Sequence, residues 1–327
     1  MRILLLFLDG IGLGDDNPAI NPFAVADLPT LWGLTNRKRW LRSTGLQISE
    51  RAIFIPTDAC LAVPGRPQSG TGQAVIVTGL NVPQMIGEHY GPKPSAEIRT
   101  ILDQDNIFRR IVARGKSAAL LEAYPPSWHK HIDSGKRLPS SYQYAARTAS
   151  VLFRGEAELR AGTAISGDWT GQIWRTHLGY TDIPVLTPIE AGMRLVEIAR
   201  RYDFSFSSHW ISDYIGHRGN MEDAVGLLET FDSVMAGILT TWNDDEGLVI
   251  VASDHGNLEE IGNRHHTQNK VPTLVIGRDK ELFLDLTDLT GLAPRLEQGL
   301  FGSDGGINGN GRPIPLAGSP QASTEKS

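Results

Sequence analysis

Two near-continuous apolar runs stand out along the chain, Ile3-Leu4-Leu5-Leu6-Phe7-Leu8 and Leu248-Val249-Ile250-Val251. Neither alternates with polar positions, so each predicts a strand buried on both faces, the pattern of a parallel sheet. Both stop abruptly at polar, glycine-bearing sequence: Asp9-Gly10 in the first case, Ser253-Asp254-His255-Gly256 in the second. Phe204 to Ile211 and Thr273-Leu274-Val275-Ile276 predict further strands, and Ile53-Phe54-Ile55 is a shorter apolar run. Helical periodicity predicts helices near Ala24–Leu34, from Pro188 to about Arg201, and from Met221 to Trp242. The second of these opens with Thr187-Pro188-Ile189-Glu190, which places proline at the first position and an acid in the first turn. A Pro- and Gly-rich turn over 64–73 leads into Ala74-Val75-Ile76-Val77-Thr78-Gly79. Here a helix capped by Gly79 is expected, with Ser69 and Thr71 at its N-terminus. Free N–H groups there can hold a phosphate oxygen, although N-capping is the plainer use of either hydroxyl.

Between residues 86 and 186 the texture changes. Arg, Tyr, Trp and Pro become more frequent, as in Tyr124-Pro125-Pro126-Ser127-Trp128-His129-Lys130-His131. Helical patterns over 95–103, 106–114 and 141–153, with a strand near Ser117–Leu121, predict a second, inserted domain. The expected organisation is a discontinuous core at 1–85 and 187–300 and a cap at 86–186. A loosely ordered tail rich in Gly, Pro and Ser is expected at 301–327. His129 and His131 read as part of a solvated loop. A chain of 327 residues is long enough for two such domains.

Composition narrows the function classes. A formal charge of −6 speaks against nucleic-acid or anionic-membrane binding while leaving room for a local basic pocket. The single cysteine, Cys60, excludes an internal disulfide, fits a reducing compartment and reads as a small buried hydrophobe. Met1–Leu8 is too short for a signal peptide and has no small-residue cleavage site. No run reaches the roughly 18 apolar residues of a membrane span, and a cytoplasmic protein is expected. Gly10, Gly12 and Gly14 follow the first strand without G-x-G-x-x-G spacing or an immediate helix pattern, so a dinucleotide fingerprint is rejected.

The chemistry gathers where the strands end. Asp9 closes the first strand, Asp213 and His217 follow the Phe204 strand, and Asp254 and His255 follow the Leu248 strand. Arg264-His265-His266-Thr267 adds imidazoles just before the last strand, and Ser69 adds a hydroxyl. Open α/β sheets hold ligands beyond the carboxyl ends of their strands. Asp213 and His217 are four residues apart, so one helical turn lets both reach one ion. Together these donors suffice for two divalent cations, and the mixture of carboxylate and imidazole suits Zn²⁺ or Mn²⁺ better than Mg²⁺ or Ca²⁺.

Four segments carry a more specific pattern: Leu8-Asp9-Gly10, Asp213-Tyr214-Ile215-Gly216-His217 with Gly219-Asn220, Ala252-Ser253-Asp254-His255-Gly256-Asn257, and His266-Thr267-Gln268-Asn269-Lys270-Val271-Pro272. The set resembles the alkaline phosphatase superfamily, in its branch of cofactor-independent phosphoglycerate mutase and phosphopentomutase, over about 1–85 and 187–277. The resemblance implies an α/β fold, an alkaline-phosphatase-like three-layer core with a mostly parallel sheet between helices, and a smaller inserted α/β cap. It assigns Asp9, Ser69, Asp254 and His255 to one metal, and Asp213, His217 and His266 to the other. Ser69 becomes the nucleophile that is phosphorylated. Gln73 departs from the histidine that follows the glycine in the family. Thr71 is the alternative nucleophile and His265 the alternative to His266, the Thr-x-Asn-x-Val-Pro frame favouring His266.

The implied activity is two-metal phosphoryl transfer on a small phosphate ester through a phosphoserine, mutase-like or phosphatase-like. A phosphodiesterase or other hydrolase of the superfamily, or a non-catalytic metal-binding scaffold, are the alternatives; the intact ligand set speaks against the scaffold. The expected partner is a small phosphorylated substrate, with no nucleic acid and no membrane. Ile165 to Gly171 reads as a strand end before an aromatic, cationic helix start. Arg175 and Lys93 are candidate phosphate contacts, and Asp168 is either a substrate-facing carboxylate or a helix cap.

Overall fold

The computed structural model describes residues 1–302. The tail expected at 301–327 therefore lies, from residue 303 onward, outside the described residues. Along the chain, β1 (Arg2–Leu8) is followed by α1 (Pro29–Leu34), β2 (Gln47–Ile48) and β3 (Ala52–Thr57). Helices α2 (Ser69–Thr78), α3 (Val82–Ile86), α4 (Ala96–Gln104) and α5 (Ile107–Ala113) lead to β4 (Ala118–Leu120). Next come α6 (Pro126–Asp133), α7 (Ser141–Thr148), α8 (Glu156–Arg160) and α9 (Gln172–Thr176), then α10 (Pro188–Ala199) and β5 (Phe204–His209). The order ends with α11 (Ile211–Arg218), α12 (Met221–Thr241), β6 (Gly247–Ala252), β7 (Val271–Ile276) and α13 (Leu292–Phe301).

All seven strands form one mixed sheet in the order β2-β3-β7-β6-β1-β5-β4. β6, β1, β5 and β4 are paired in parallel, whereas β7 runs antiparallel to both β6 and β3. Helices cover both faces, and β1 shows why its sequence has no polar positions. Ile3, Leu5 and Phe7 pack into one apolar layer with residues of α2, α4, α5, α7 and α13. Leu4, Leu6 and Leu8 pack into the other, with residues of α1, α10 and α12. Alternate side chains of a strand point to opposite faces, so a strand covered on both must be apolar throughout.

Strand direction decides what meets at one edge. The C-terminal ends of β1, β5 and β6 lie together, as the parallel register requires. Because β7 runs the other way, the residues just before its start arrive at that same edge. β3 reverses direction again, Thr57 pairing with Val271, so the segment leading to α2 leaves from this edge as well.

Two expectations need correction. Much of the 86–186 segment does not stand apart as a cap: β4 extends the central sheet beside β5, and the apolar faces of α4, α5 and α7 belong to the main core. Only two small apolar clusters form separately, one of Ala123, Leu159, Ala164, Trp174 and Ile183, the other of Tyr124, Trp128 and Ile132. The physical reason is amphipathicity: Ile98, Ile101, Leu102, Phe108 and Ile111 recur at helical spacing, and the open face of the sheet is where they can be buried. The other correction concerns α12. At 21 residues it is long and apolar enough to meet the length and composition of a membrane span. Here it lies on the sheet, burying Leu228, Phe231, Val234, Met235 and Ile238 in the core.

One carboxyl group is buried just past β4. Glu122 accepts the Ser208 backbone N–H, while its Oε2 has no hydrogen-bond partner in the protein. Burial pushes its pKa up to about 7. A carboxyl whose folded pKa is raised adds stability fully below its unfolded value near 4.5, and that contribution is lost as pH rises to about 7. Glu122→Gln should therefore remove a destabilisation of about 3 kcal/mol at neutral pH, and none at pH 4. Urea midpoints of the two proteins at pH 4 and pH 8 check this; parallel pH profiles would exclude it.

Candidate metal centre

Each segment that reaches the shared edge brings its polar residue with a local reason for its placement. Asp9 follows β1 directly, and its carbonyl accepts the Ser212 hydroxyl at 2.6 Å. Asp213 and His217 sit one turn apart on α11, which starts immediately after β5. Asp254 and His255 follow β6, where Ser253 Oγ accepts the Ile11 N–H at 2.9 Å and ties this loop to the one after β1. Ser69 is the first residue of α2, and Gly72 is what allows that helix to approach: a Cβ there would lie 2.9 Å from Asp254 Cβ.

The side chains converge into two overlapping groups. Asp213, His217 and His266 bring ligand atoms within 4.8 Å of one another, and so do Asp9, Asp213 and His255. His217 Nε2 lies 3.4 Å from Asp213 Oδ1, and His266 Nε2 lies 3.6 Å from it. His255 Nε2 is 3.3 Å from Asp9 Oδ1, 3.7 Å from Asp254 Oδ2 and 2.9 Å from Ser69 Oγ. The first group coincides with one set of ligands expected from the sequence. The second draws Asp213 towards both groups, with Asp254 and Ser69 also beside His255 Nε2.

The donor set fits divalent cations. Asp9 Oδ1 and Asp254 Oδ2 are buried without a hydrogen-bond donor. His266 Nδ1 lies 2.8 Å from Pro67 O and His217 Nδ1 lies 2.8 Å from Arg264 O. Donation from both Nδ1–H groups leaves two Nε2 lone pairs facing each other at 3.1 Å, an arrangement that a shared cation resolves. The electrostatics agree. Burial alone would lower the His255 pKa, yet Asp254, Asp9 and Asp213 push it up to about 10. Burial, with the neighbouring Asp9 charge, holds Asp254 well above the carboxylate range. Burial and the adjacent His255 pull His266 down. The pocket is an excess of buried negative charge in want of a cation.

A sequence profile described as Metalloenzyme superfamily matches residues 189–294, the stretch from α10 into α13 that carries Asp213, His217, Asp254, His255 and His266. Among curated proteins, the chain is 27% identical over 122 residues to the 2,3-bisphosphoglycerate-independent phosphoglycerate mutase of Mesomycoplasma hyopneumoniae strain 232, covering 36% of this chain and 24% of that one. It is 33% identical over 107 residues to the enzyme of the same name from Methylobacillus flagellatus, covering 30% and 21%. The matched segment thus spans about a quarter of the relatives' own length. Among solved structures, a protein from Pyrococcus horikoshii superposes with a TM-score of 0.53 at 14% identity, covering 92% of this chain and 98% of that one. The alkaline phosphatase of the Antarctic bacterium TAB5 superposes with a TM-score of 0.51 at 13% identity, covering 91% and 98%. The chain shares its fold with these two structures, one of them an alkaline phosphatase.

Within that fold, the structure separates the alternatives left by the sequence. The Thr71 hydroxyl is committed to the backbone, donating to Gln68 O at 3.1 Å and accepting from Tyr90 N. Ser69 makes no such cap and faces His255. His266 is buried at the centre while His265 is exposed beside it. Gln73 donates to Asp9 Oδ2 at 3.2 Å. Lys93 lies on the loop packed against the first turn of α2; burial lowers its pKa, as does Arg137, and Asp9 counters them. Arg175 is exposed on α9, and the Asp168 carboxylate is spent on its own turn, accepting the N–H groups of Gly171 and Ile173. Ile165 pairs in parallel with Glu122 just past β4, and the turn after it leads into α9, as a strand end before a helix start should. His129 and His131 lie on α6 rather than in a loop, away from the centre, and Cys60 is half-buried rather than buried.

One residue that sequence reasoning missed holds the ligand loops together. Glu259 is fully buried and accepts Gly12 N at 3.0 Å, Asn257 N at 2.8 Å, Asn269 Nδ2 at 2.9 Å and the Thr267 hydroxyl. These four donors come from the loops after β1, after β6 and before β7. No basic side chain pairs with Glu259 among the described residues; hydrogen bonds alone satisfy its charge. Asn257 adds a further tie, donating to Asp213 Oδ1 at 2.8 Å. Only the proximity of Glu259 to Asp254-His255 could have flagged it. Glu259→Gln turns an acceptor into a donor facing N–H groups, and should weaken metal affinity about 10- to 100-fold in chelator-competition titrations. Unchanged affinity would show that the loops hold their positions without it.

Proposed function

We propose that this protein transfers the phosphoryl group of a small phosphate ester through a phosphoserine at Ser69. The observation that carries this is the hydroxyl of Ser69: it opens helix α2, caps nothing, and lies 2.9 Å from His255 Nε2 among the clustered carboxylates and imidazoles. The curated relatives support the class of chemistry, since both are named phosphoglycerate mutases. Asp9, Ser69, Asp254 and His255 would hold one divalent cation, and Asp213, His217 and His266 the other, with Asp213 near both. Zn²⁺ or Mn²⁺ matches the mixed oxygen and nitrogen donors. Bound there, such cations acidify a serine hydroxyl and neutralise charge on phosphoryl oxygens.

The chain supplies the rest. The first turn of α2 presents its N-terminal end to the phosphoryl group, where backbone N–H groups and the helix dipole favour negative charge. As Ser69 Oγ gives up its proton to solvent and bonds to phosphorus, the ester P–O bond breaks and the leaving alcohol takes a proton from solvent. A second acceptor then takes the phosphoryl group and restores the serine. When that acceptor is water the reaction is a hydrolysis; when it is another hydroxyl of the substrate, it is a mutase reaction. The Lys93 backbone packs against the first turn of α2, and its ammonium, which feels the Asp9 charge, would meet a phosphate oxygen there.

The wild-type protein should bind about two Zn²⁺ or Mn²⁺ per chain by elemental analysis and turn over an aryl phosphate. Ser69→Ala should remain folded and lose turnover by about 10³-fold or more. Acid quenching during turnover should trap phosphate on the peptide containing Ser69. Released inorganic phosphate identifies a hydrolase, and an isomerised ester identifies a mutase. Failure to bind either metal, or full activity in Ser69→Ala, would overturn the proposal.

A further inference from the structure

On α11, the row of metal ligands has a neighbour. Successive helical residues turn by about 100°, so Asp213, His217, Trp210, Tyr214 and Arg218 fall, in that angular order, within an arc of about 140°. Trp210 belongs to this row because its backbone is already helical, with φ −90° and ψ −12°. Asp213 and His217 face the centre; Trp210 and Tyr214 are each 52% exposed. Their rings meet edge to face, with centroids 6.4 Å apart, and the Arg218 guanidinium lies 5.7 Å from the Tyr214 ring. Arg218 has no acidic partner among the described residues.

Trp210 is anchored at Gly167 and remains half-exposed. A Cβ at Gly167 would come within 3.3 Å of the indole Nε1, so the ring rests on the 166–171 turn. That turn is held to β5 through His209 Nδ1 and Gly167 O, 2.9 Å apart. The indole is thereby fixed where the 166–171 turn meets the end of β5, one helical turn from Asp213, with a flat surface left to solvent. An exposed aromatic strip with an unpaired cation, continuous with a metal centre, has the make-up of a recognition surface. A planar ring laid on it gains stacking against Trp210 and sits beside the Arg218 charge. A short open-chain group is too small to cover both rings.

We propose that Trp210, Tyr214 and Arg218 form the subsite for the leaving group of the phosphate ester, and that this group carries a planar aromatic ring. The proposal rests on phosphoryl transfer at Ser69 and adds the substrate class. Its test uses phenylphosphonate and methylphosphonate, whose C–P bonds resist turnover, and inorganic phosphate, each titrated calorimetrically into protein loaded with Zn²⁺ or Mn²⁺. Wild type should bind phenylphosphonate about tenfold more tightly than methylphosphonate. Trp210→Ala should bring the two affinities together, and Trp210→Phe should restore most of the difference. Equal affinities in wild type, or a preference that survives both Trp210→Ala and Tyr214→Ala, would overturn the subsite. Phosphate binding without a ring preference sinks the subsite alone. If neither phosphonate nor phosphate binds the metal-loaded protein, phosphoryl transfer fails and takes the subsite with it.

Discussion

Three carboxylates and three imidazoles share a space in which the protein provides too few donors to satisfy them. Asp9 Oδ1 and Asp254 Oδ2 remain without hydrogen bonds, and the carboxylates raise His255 to about 10. Charges buried at this density are tolerated only when paired or bound to a cation. The remainder of the fold can be understood as the scaffold that forces this crowding. Two apolar layers press helices onto both faces of one sheet, and the loops that follow its parallel strands β1, β5 and β6 emerge together at one edge.

The direction of β7 is the topological device behind the site. Were β7 parallel to β6, His266 would leave from the opposite edge of the sheet, a strand length away. Its antiparallel pairing, and that of β3, returns both His266 and the approach to Ser69 to the edge where β1, β5 and β6 end. Glu259 and Asn257 then convert proximity into fixed geometry, because ligand loops need outer partners to hold donor atoms in place.

The segment between α2 and α10 serves the core more than its composition suggests. Helices α4, α5 and α7 complete one face of the sheet and β4 extends the sheet itself, while Ala123, Tyr124 and residues of α6, α8 and α9 contribute to two small separate clusters. Through Gly167 that outer part also sets Trp210 against the end of α11. One stretch of chain therefore both completes the core and supports the start of α11.

Taken by itself, the sequence determined the buried strands, because a strand covered on both faces can carry no polar position. It also singled out the candidate ligands, because Asp213 and His217 at helical spacing, Asp254-His255, and the His266 frame are local patterns. The cap boundary was not legible: the Ile and Phe faces of α4 and α5 show that they must be buried, not against which surface. Only the tertiary structure decided that Ser69 rather than Thr71 faces His255, that Asp213 stands near both groups of ligands, and that Glu259 ties three loops together. Those outcomes depend on tertiary contacts such as Ser69 to His255 and Gly12 to Glu259, 186 and 247 positions apart, whose geometry is set by strand direction and packing, and no local pattern encodes that.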